Sequence, residues 1–108
     1  KVVMNQQNDA VFMSRQPIPT LDKAGFAQTA TYKQVCIIPF RRKALYDYTN
    51  LAPTPLEQLE SIDMLRLIEH GQQVKMVQTE FNTQAVDTES DLARVAQLME
   101  NDPLLATY

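Results

Sequence analysis

The residues able to do chemistry in this sequence are few and widely spaced. Asp87 stands in Ala85-Val86-Asp87-Thr88, between a loop and the start of a helix. A carboxylate there can act as an N-cap. Displayed at the helix N-terminus, it can instead hold a hard divalent cation such as Mg²⁺ together with several waters. Arg15 carries a planar guanidinium fork suited to a substrate carboxylate, and is otherwise a solvated loop side chain. Glu57, Glu60 and Asp63 share one helical face; a capping box accounts for Glu57 and a solvated face for the other two. The single cysteine, Cys36, lies in an apolar run and reads as core rather than nucleophile. The single histidine, His70, closes a helix, where a cation complements the carbonyl dipole. One Cys and one His argue against both a zinc site and a Cys/His dyad. Gly25 and Gly71 are the only glycines, so no glycine-rich phosphate loop exists and a complete kinase, P-loop or dinucleotide site is excluded.

These residues must be positioned by short elements. The clearest is a helix over residues 54–71, with Thr54 as N-cap, Pro55 at the first helical position, Glu57 closing a capping box and Gly71 as left-handed stop. Leu56, Leu59, Ile62, Leu65 and Ile68 form its apolar stripe. Upstream, residues 2–4 and 10–13 are β-prone runs flanking Asn5-Gln6-Gln7-Asn8-Asp9, a hairpin pattern. Two prolines at 17 and 19 leave the sheet, and residues 20–31 read as a loop that orders against a partner or another domain. Residues 32–40 (YKQVCIIPF) are the strongest strand candidate, suited to burial on both faces. A short helix over 41–48 follows, with Ala44, Leu45 and Tyr48 as its apolar side. A strand is expected at 74–77 and a loop holding Phe81 at 79–83. Asp87 or Thr88 then caps a last helix over 89–99 that faces Leu92, Val95, Ala96 and Met99 inward. The order of elements fits the mixed second half of an α/β protein.

A chain of 108 residues is one domain at most, and 44% hydrophobic with 21% charged residues reads as soluble and globular. A net charge of −3, with Arg41-Arg42-Lys43 the only basic cluster, gives no reason to bind nucleic acid or an anionic membrane. No apolar run approaches the ~18 residues of a membrane span, and no signal-peptide pattern opens the chain. A lone cysteine excludes a disulfide framework and favours a reducing, cytoplasmic setting. The chain starts at Lys1 on a strand-like run, as expected of a fragment.

Several motifs, in order, resemble one family. They are Lys1-Val2-Val3; residues 10–15 (AVFMSR) with Ile18-Pro19; Pro53-Thr54-Pro55-Leu56-Glu57 with Leu65-Arg66 and Gly71; and Val86-Asp87-Thr88 with Asp91-Leu92. Together they are similar to the C-terminal half of the CMP-Kdo synthetases, the 3-deoxy-manno-octulosonate cytidylyltransferases, over nearly the whole chain. The resemblance implies the C-terminal portion of a Rossmann-like α/β nucleotidyltransferase, a mixed sheet with flanking helices. It implies a cytoplasmic homodimer joining CTP to a 3-deoxy sugar acid for lipopolysaccharide biosynthesis, with Mg²⁺ as cofactor. Asp87 matches the family's metal-binding aspartate, Arg15 the arginine used at the sugar acid, and Asp63 a sugar-contacting glutamate. Gln34 and Ile38 replace a histidine and a tyrosine, and Met64 a glutamine, at positions that line the family's sugar pocket. Gln34 can still hydrogen-bond to a substrate; Ile38 and Met64 cannot usefully do so. The resemblance further implies that the CTP loop and a second metal-binding aspartate belong to a missing N-terminal half, leaving the chain inactive alone. The alternatives are a non-catalytic oligomerisation or interaction module on the same scaffold, and a cytidylyltransferase for another acidic sugar.

Overall fold

The computed structural model describes residues 1–20, 30–81 and 83–107. They form two compact units, Lys1–Gln78 and Thr79–Tyr108. Most of the loop expected at 20–31 lies outside the described residues.

The first unit is organised on the expected hairpin. Strands β1 (Val2–Met4) and β2 (Ala10–Met13) pair antiparallel, Val2 opposite Met13, with the register broken between Val3 and Met4. The sequence makes this turn through Asn5, whose side-chain oxygen accepts from the backbone N–H of Gln7 and of Asp9, both at 2.9 Å. Asn8 takes the left-handed conformation at φ 62°, which asparagine tolerates better than most residues. The turn is clamped by a residue remote in sequence. Lys75 Nζ lies 2.6 Å from a carboxylate oxygen of the buried Asp9 and donates to the Gln7 carbonyl at 2.7 Å.

The two further strands do not form as strands. Residues 32–40 make one bridge, Tyr32 to Val2, after which the Ile37 amide donates to the Val35 carbonyl in a tight turn. Residues 74–77 likewise make one bridge, Lys75 to Asp9. A β-strand exists only as part of a ladder, and a two-stranded hairpin offers these runs a single neighbour each. Cys36, expected in the core, is consequently exposed.

Helix α1 (Arg42–Asn50) ends two residues later than its sequence pattern suggests. Tyr48 packs its ring 5.6 Å from Phe40, Ala44 is half-buried and Leu45 exposed. The long helix of the sequence is two: α2 (Pro55–Glu60) and α3 (Met64–Glu69), separated by Ser61 in the left-handed region at φ 52°, ψ 49°. The break resets the helical phase. Leu59, on the expected stripe, is 80% exposed, whereas Leu65 is fully buried beside Met64 and Leu67. These three join Val2, Ala10 and Met13 as the core. Gly71 has φ 73°, and since an added Cβ would meet nothing within 4 Å, the conformation alone explains the glycine.

The second unit holds α4 (Glu89–Met99) and a 3₁₀ turn, Leu105–Thr107. Thr88 and Asp91 close a reciprocal capping box at its start, the Asp91 amide donating to Thr88 Oγ1 at 3.2 Å and the Thr88 amide to Asp91 Oδ2 at 3.1 Å. The side expected to face inward is open: Val95 is half-buried, while Leu92, Ala96 and Met99 are exposed.

The reset phase separates two substitutions that one continuous helix would treat alike. Leu65→Ala should cost about 2–5 kcal/mol, whereas Leu59→Ala should change stability by less than about 0.5 kcal/mol. Urea midpoints of the two variants read the difference.

Candidate functional site

Arg15, Gln34 and Asp63 all belong to the first unit. Arg15 follows β2, its residue exposed, and its position is set from the backbone. Its amide donates to Glu60 Oε2 at 3.0 Å, and the hydroxyl of buried Ser14 donates to Glu60 Oε1 at 2.9 Å. Glu60 is therefore a bracket between the strand end and α2, and its sequence reading as a solvated side chain is corrected. The Arg15 amide and the Ser14 hydroxyl hold its carboxyl below its ordinary range.

Asp63 is exposed at the start of α3, three residues past Glu60. Its own side chain makes no cap hydrogen bond. Its charge acts on Tyr48 and Arg66. Met64, read as pointing toward a sugar pocket, is instead in the core. The apolar side chain at that position is thus explained by packing. Gln34 is half-buried, two residues past the Tyr32 bridge, and Ile38 is exposed.

Beneath these residues lies a cluster that sequence spacing does not reveal. Arg66 forms a two-point pair with Glu57: Nε donates to Oε2 at 2.8 Å and Nη2 to Oε1 at 2.5 Å. Its guanidinium also lies 4.7 Å from the Tyr48 ring centroid. The hydrogen bonds from Arg66 hold Glu57 below its ordinary range, and those to Glu57 raise Arg66 further. Burial pushes the Tyr48 hydroxyl up. Glu57 also accepts from the Thr54 amide at 3.2 Å, so it serves both the capping box and the pair. Glu69 closes the same assembly, one carboxylate oxygen accepting from the amides of Leu56 and Glu57 at 3.1 and 3.3 Å. His70 stands at the C-terminal cap of α3 and reaches the Ala52 carbonyl through Nε2 at 3.2 Å. Glu57 and Arg66 are nine residues apart, a spacing that joins no face of a continuous helix; only the turn at Ser61 makes them neighbours.

Asp87 is in the second unit, exposed and immediately before the capping box. Thr88 is the cap, which leaves the Asp87 carboxylate outside that role. As a hard oxygen donor it suits one position around Mg²⁺. Among the described residues no group of three or more His, Cys, Asp or Glu could hold a metal ion.

The family model for cytidylyltransferases matches residues 1–81, and the chain belongs to that family. The matched curated relatives are 3-deoxy-manno-octulosonate cytidylyltransferases. Those of Solibacter usitatus and Chloroherpeton thalassium are each 38% identical, over 93% and 92% of the chain, and that of Chlamydia caviae is 33% identical over 92%. Among solved structures, CMP:2-keto-3-deoxy-manno-octonic acid synthetase complexed with CTP aligns with a TM-score of 0.79 and 36% identity over 92% of the chain. The chain spans only about 40% of the length of these proteins. Its fold is accordingly a partial α/β nucleotidyltransferase fold, which fits the class expected from the sequence.

Glu60 is the acid-sensitive part of the bracket. A carboxyl whose folded pKa lies below its ordinary 4.5 adds stability above that value, and the contribution is lost as pH falls through the lowered one. Glu60→Gln should therefore flatten the fall in urea midpoint between about pH 6 and pH 3. An unchanged slope would remove Glu60 from the bracket.

Proposed function

We propose that the chain is the C-terminal, sugar-acid-binding and dimerisation portion of a cytoplasmic cytidylyltransferase that transfers CMP from CTP to Kdo or a related 3-deoxy sugar acid. The observation that supports this most is the 36–38% identity to CMP-Kdo synthetases across more than nine-tenths of the chain. Arg15 and Asp87 lie on motifs in that resemblance. In this reading Arg15 grips the sugar carboxylate with its fork, and Gln34 and Asp63 hydrogen-bond the sugar hydroxyls. The anomeric oxygen is then aimed at the α-phosphorus. Its bond to phosphorus forms as its O–H bond breaks, the proton passing to solvent, and as the bond to the bridging oxygen of pyrophosphate breaks with that oxygen keeping the electron pair. Asp87 would supply one oxygen ligand for Mg²⁺, which would contribute positive charge against that developing on the phosphates.

A second reading, an interaction module without catalysis, is favoured by one observation: exposed Ile38 offers no hydrogen bond where the family carries a tyrosine. Pyrophosphate release decides between them. In the complete enzyme carrying this chain, supplied with CTP, Mg²⁺ and Kdo or other acidic sugars, Asp87→Ala should lower kcat about 100-fold or more. Arg15→Lys should raise the KM for the sugar acid about tenfold, because a point charge replaces a two-point fork. Full activity of Asp87→Ala contradicts the metal role, and no release with any acidic sugar favours the module. The 108-residue chain alone should release no pyrophosphate, and robust Mg²⁺-dependent turnover by it overturns the partial-enzyme reading.

A further inference from the structure

We propose that Glu60 is the positioning residue for Arg15, holding residues 14–16 so that the guanidinium fork meets the carboxylate of the sugar acid in a single orientation. The inference rests on the proposed function, in which Arg15 grips that carboxylate.

Three consecutive residues after β2 are fixed by one side chain 45 positions beyond Arg15. Glu60 Oε2 accepts from the Arg15 amide at 3.0 Å and Oε1 from the Ser14 hydroxyl at 2.9 Å. The same Ser14 oxygen accepts from the Gln16 amide at 3.0 Å, so the hold extends one residue past Arg15. Ser14 is buried whereas Arg15 is exposed: the anchor is shielded from water and the cation it carries is not. Helix stability does not account for a carboxylate at this position. Glu60 is the last residue of α2, where a negative charge opposes the helix dipole. Nor is its charge spent on the Arg15 guanidinium. Arg15 takes part in none of the ion pairs among the described residues, and each Glu60 oxygen already accepts from a neutral donor. The fork is left open to a ligand carboxylate.

A long cation on a mobile loop gives up backbone as well as side-chain freedom when it grips a ligand; on a held backbone only the side-chain part is lost. That gain applies equally to the bound ground state and the transition state, so its signature is the KM for the sugar acid rather than kcat.

The test uses the complete enzyme carrying this chain, with pyrophosphate release followed at saturating CTP and Mg²⁺ and varied Kdo or another acidic sugar. Glu60→Ala should raise the KM for the sugar acid about three- to tenfold, with kcat and the KM for CTP changed less than about twofold. Glu60→Gln, which keeps one acceptor oxygen, should recover part of the loss. Ser14→Ala, which removes the link to Gln16 without touching α2, should raise the same KM. In an Arg15→Ala background Glu60→Ala should change that KM less than about twofold, because the group it positions is gone. Urea midpoints on each variant separate loss of fold from loss of grip. An unchanged KM in Glu60→Ala overturns the proposal. So does an equal loss in the Arg15→Ala background, the mark of a contact that only holds the fold together. A large effect of Arg15→Ala beside a silent Glu60→Ala overturns the positioning alone and leaves the proposed function standing. An Arg15→Ala enzyme with an unchanged KM for the sugar acid, or no release with any acidic sugar, overturns both.

Discussion

The pair between Glu57 and Arg66 is the constraint on which the helical part of the first unit depends. A carboxylate nine-tenths shielded from water is tolerated only with a partner, and Arg66 supplies two parallel hydrogen bonds to it. To make them, α3 must double back on α2, which forces the left-handed residue at Ser61 and then sets which residues reach the core. Met64, Leu65 and Leu67 go inward because Arg66 goes to Glu57. The same guanidinium lies against the Tyr48 ring, so α1 is drawn to this pair of helices as well.

The hairpin and the paired helices are joined in a second place by Glu60. Its two oxygens accept from the Ser14 hydroxyl and the Arg15 amide. Arg15 therefore starts from a fixed backbone although its residue is exposed, the condition under which a long cation can select a carboxylate without losing all its freedom on binding. Asp63 leaves the same bracket three residues on. The position of Arg15 thus descends from a carboxylate three residues before Asp63.

Local signals in the sequence were good guides wherever one turn of chain decides the outcome. The Asn5 turn, the Pro55 helix start, a cap at Asp87 or Thr88 and Gly71 all depend on residues within about four positions of each other, and each is found in the structure, Thr88 being the cap. What was illegible depends on distant partners. Periodicity over 54–71 assumes one helical phase, and nothing in the spacing of Glu57 and Arg66 warns that Ser61 will break it. Glu60 and Asp63 look equivalent on a helical wheel, yet one is bound on both oxygens and the other is exposed. Arg15 and Asp87 stand out only through the family resemblance, because a solvated arginine and a helix-capping aspartate explain the bare residues better.

The strand readings at 32–40 and 74–77 teach the same physics from the other side. Composition reports what a segment needs, here burial on two faces, while structure reports what its neighbours provide. A helix can satisfy its backbone internally, which is why α1 and α4 form with little or no buried side-chain surface of their own. A strand cannot, because every ladder bond belongs half to another segment. The mismatch between an apolar run and its exposed position therefore reports neighbours that the two-stranded sheet does not supply. It is seen at Ile37, Ile38 and Val77, and also on helix faces read as inward, where Leu59, Leu92 and Met99 are exposed.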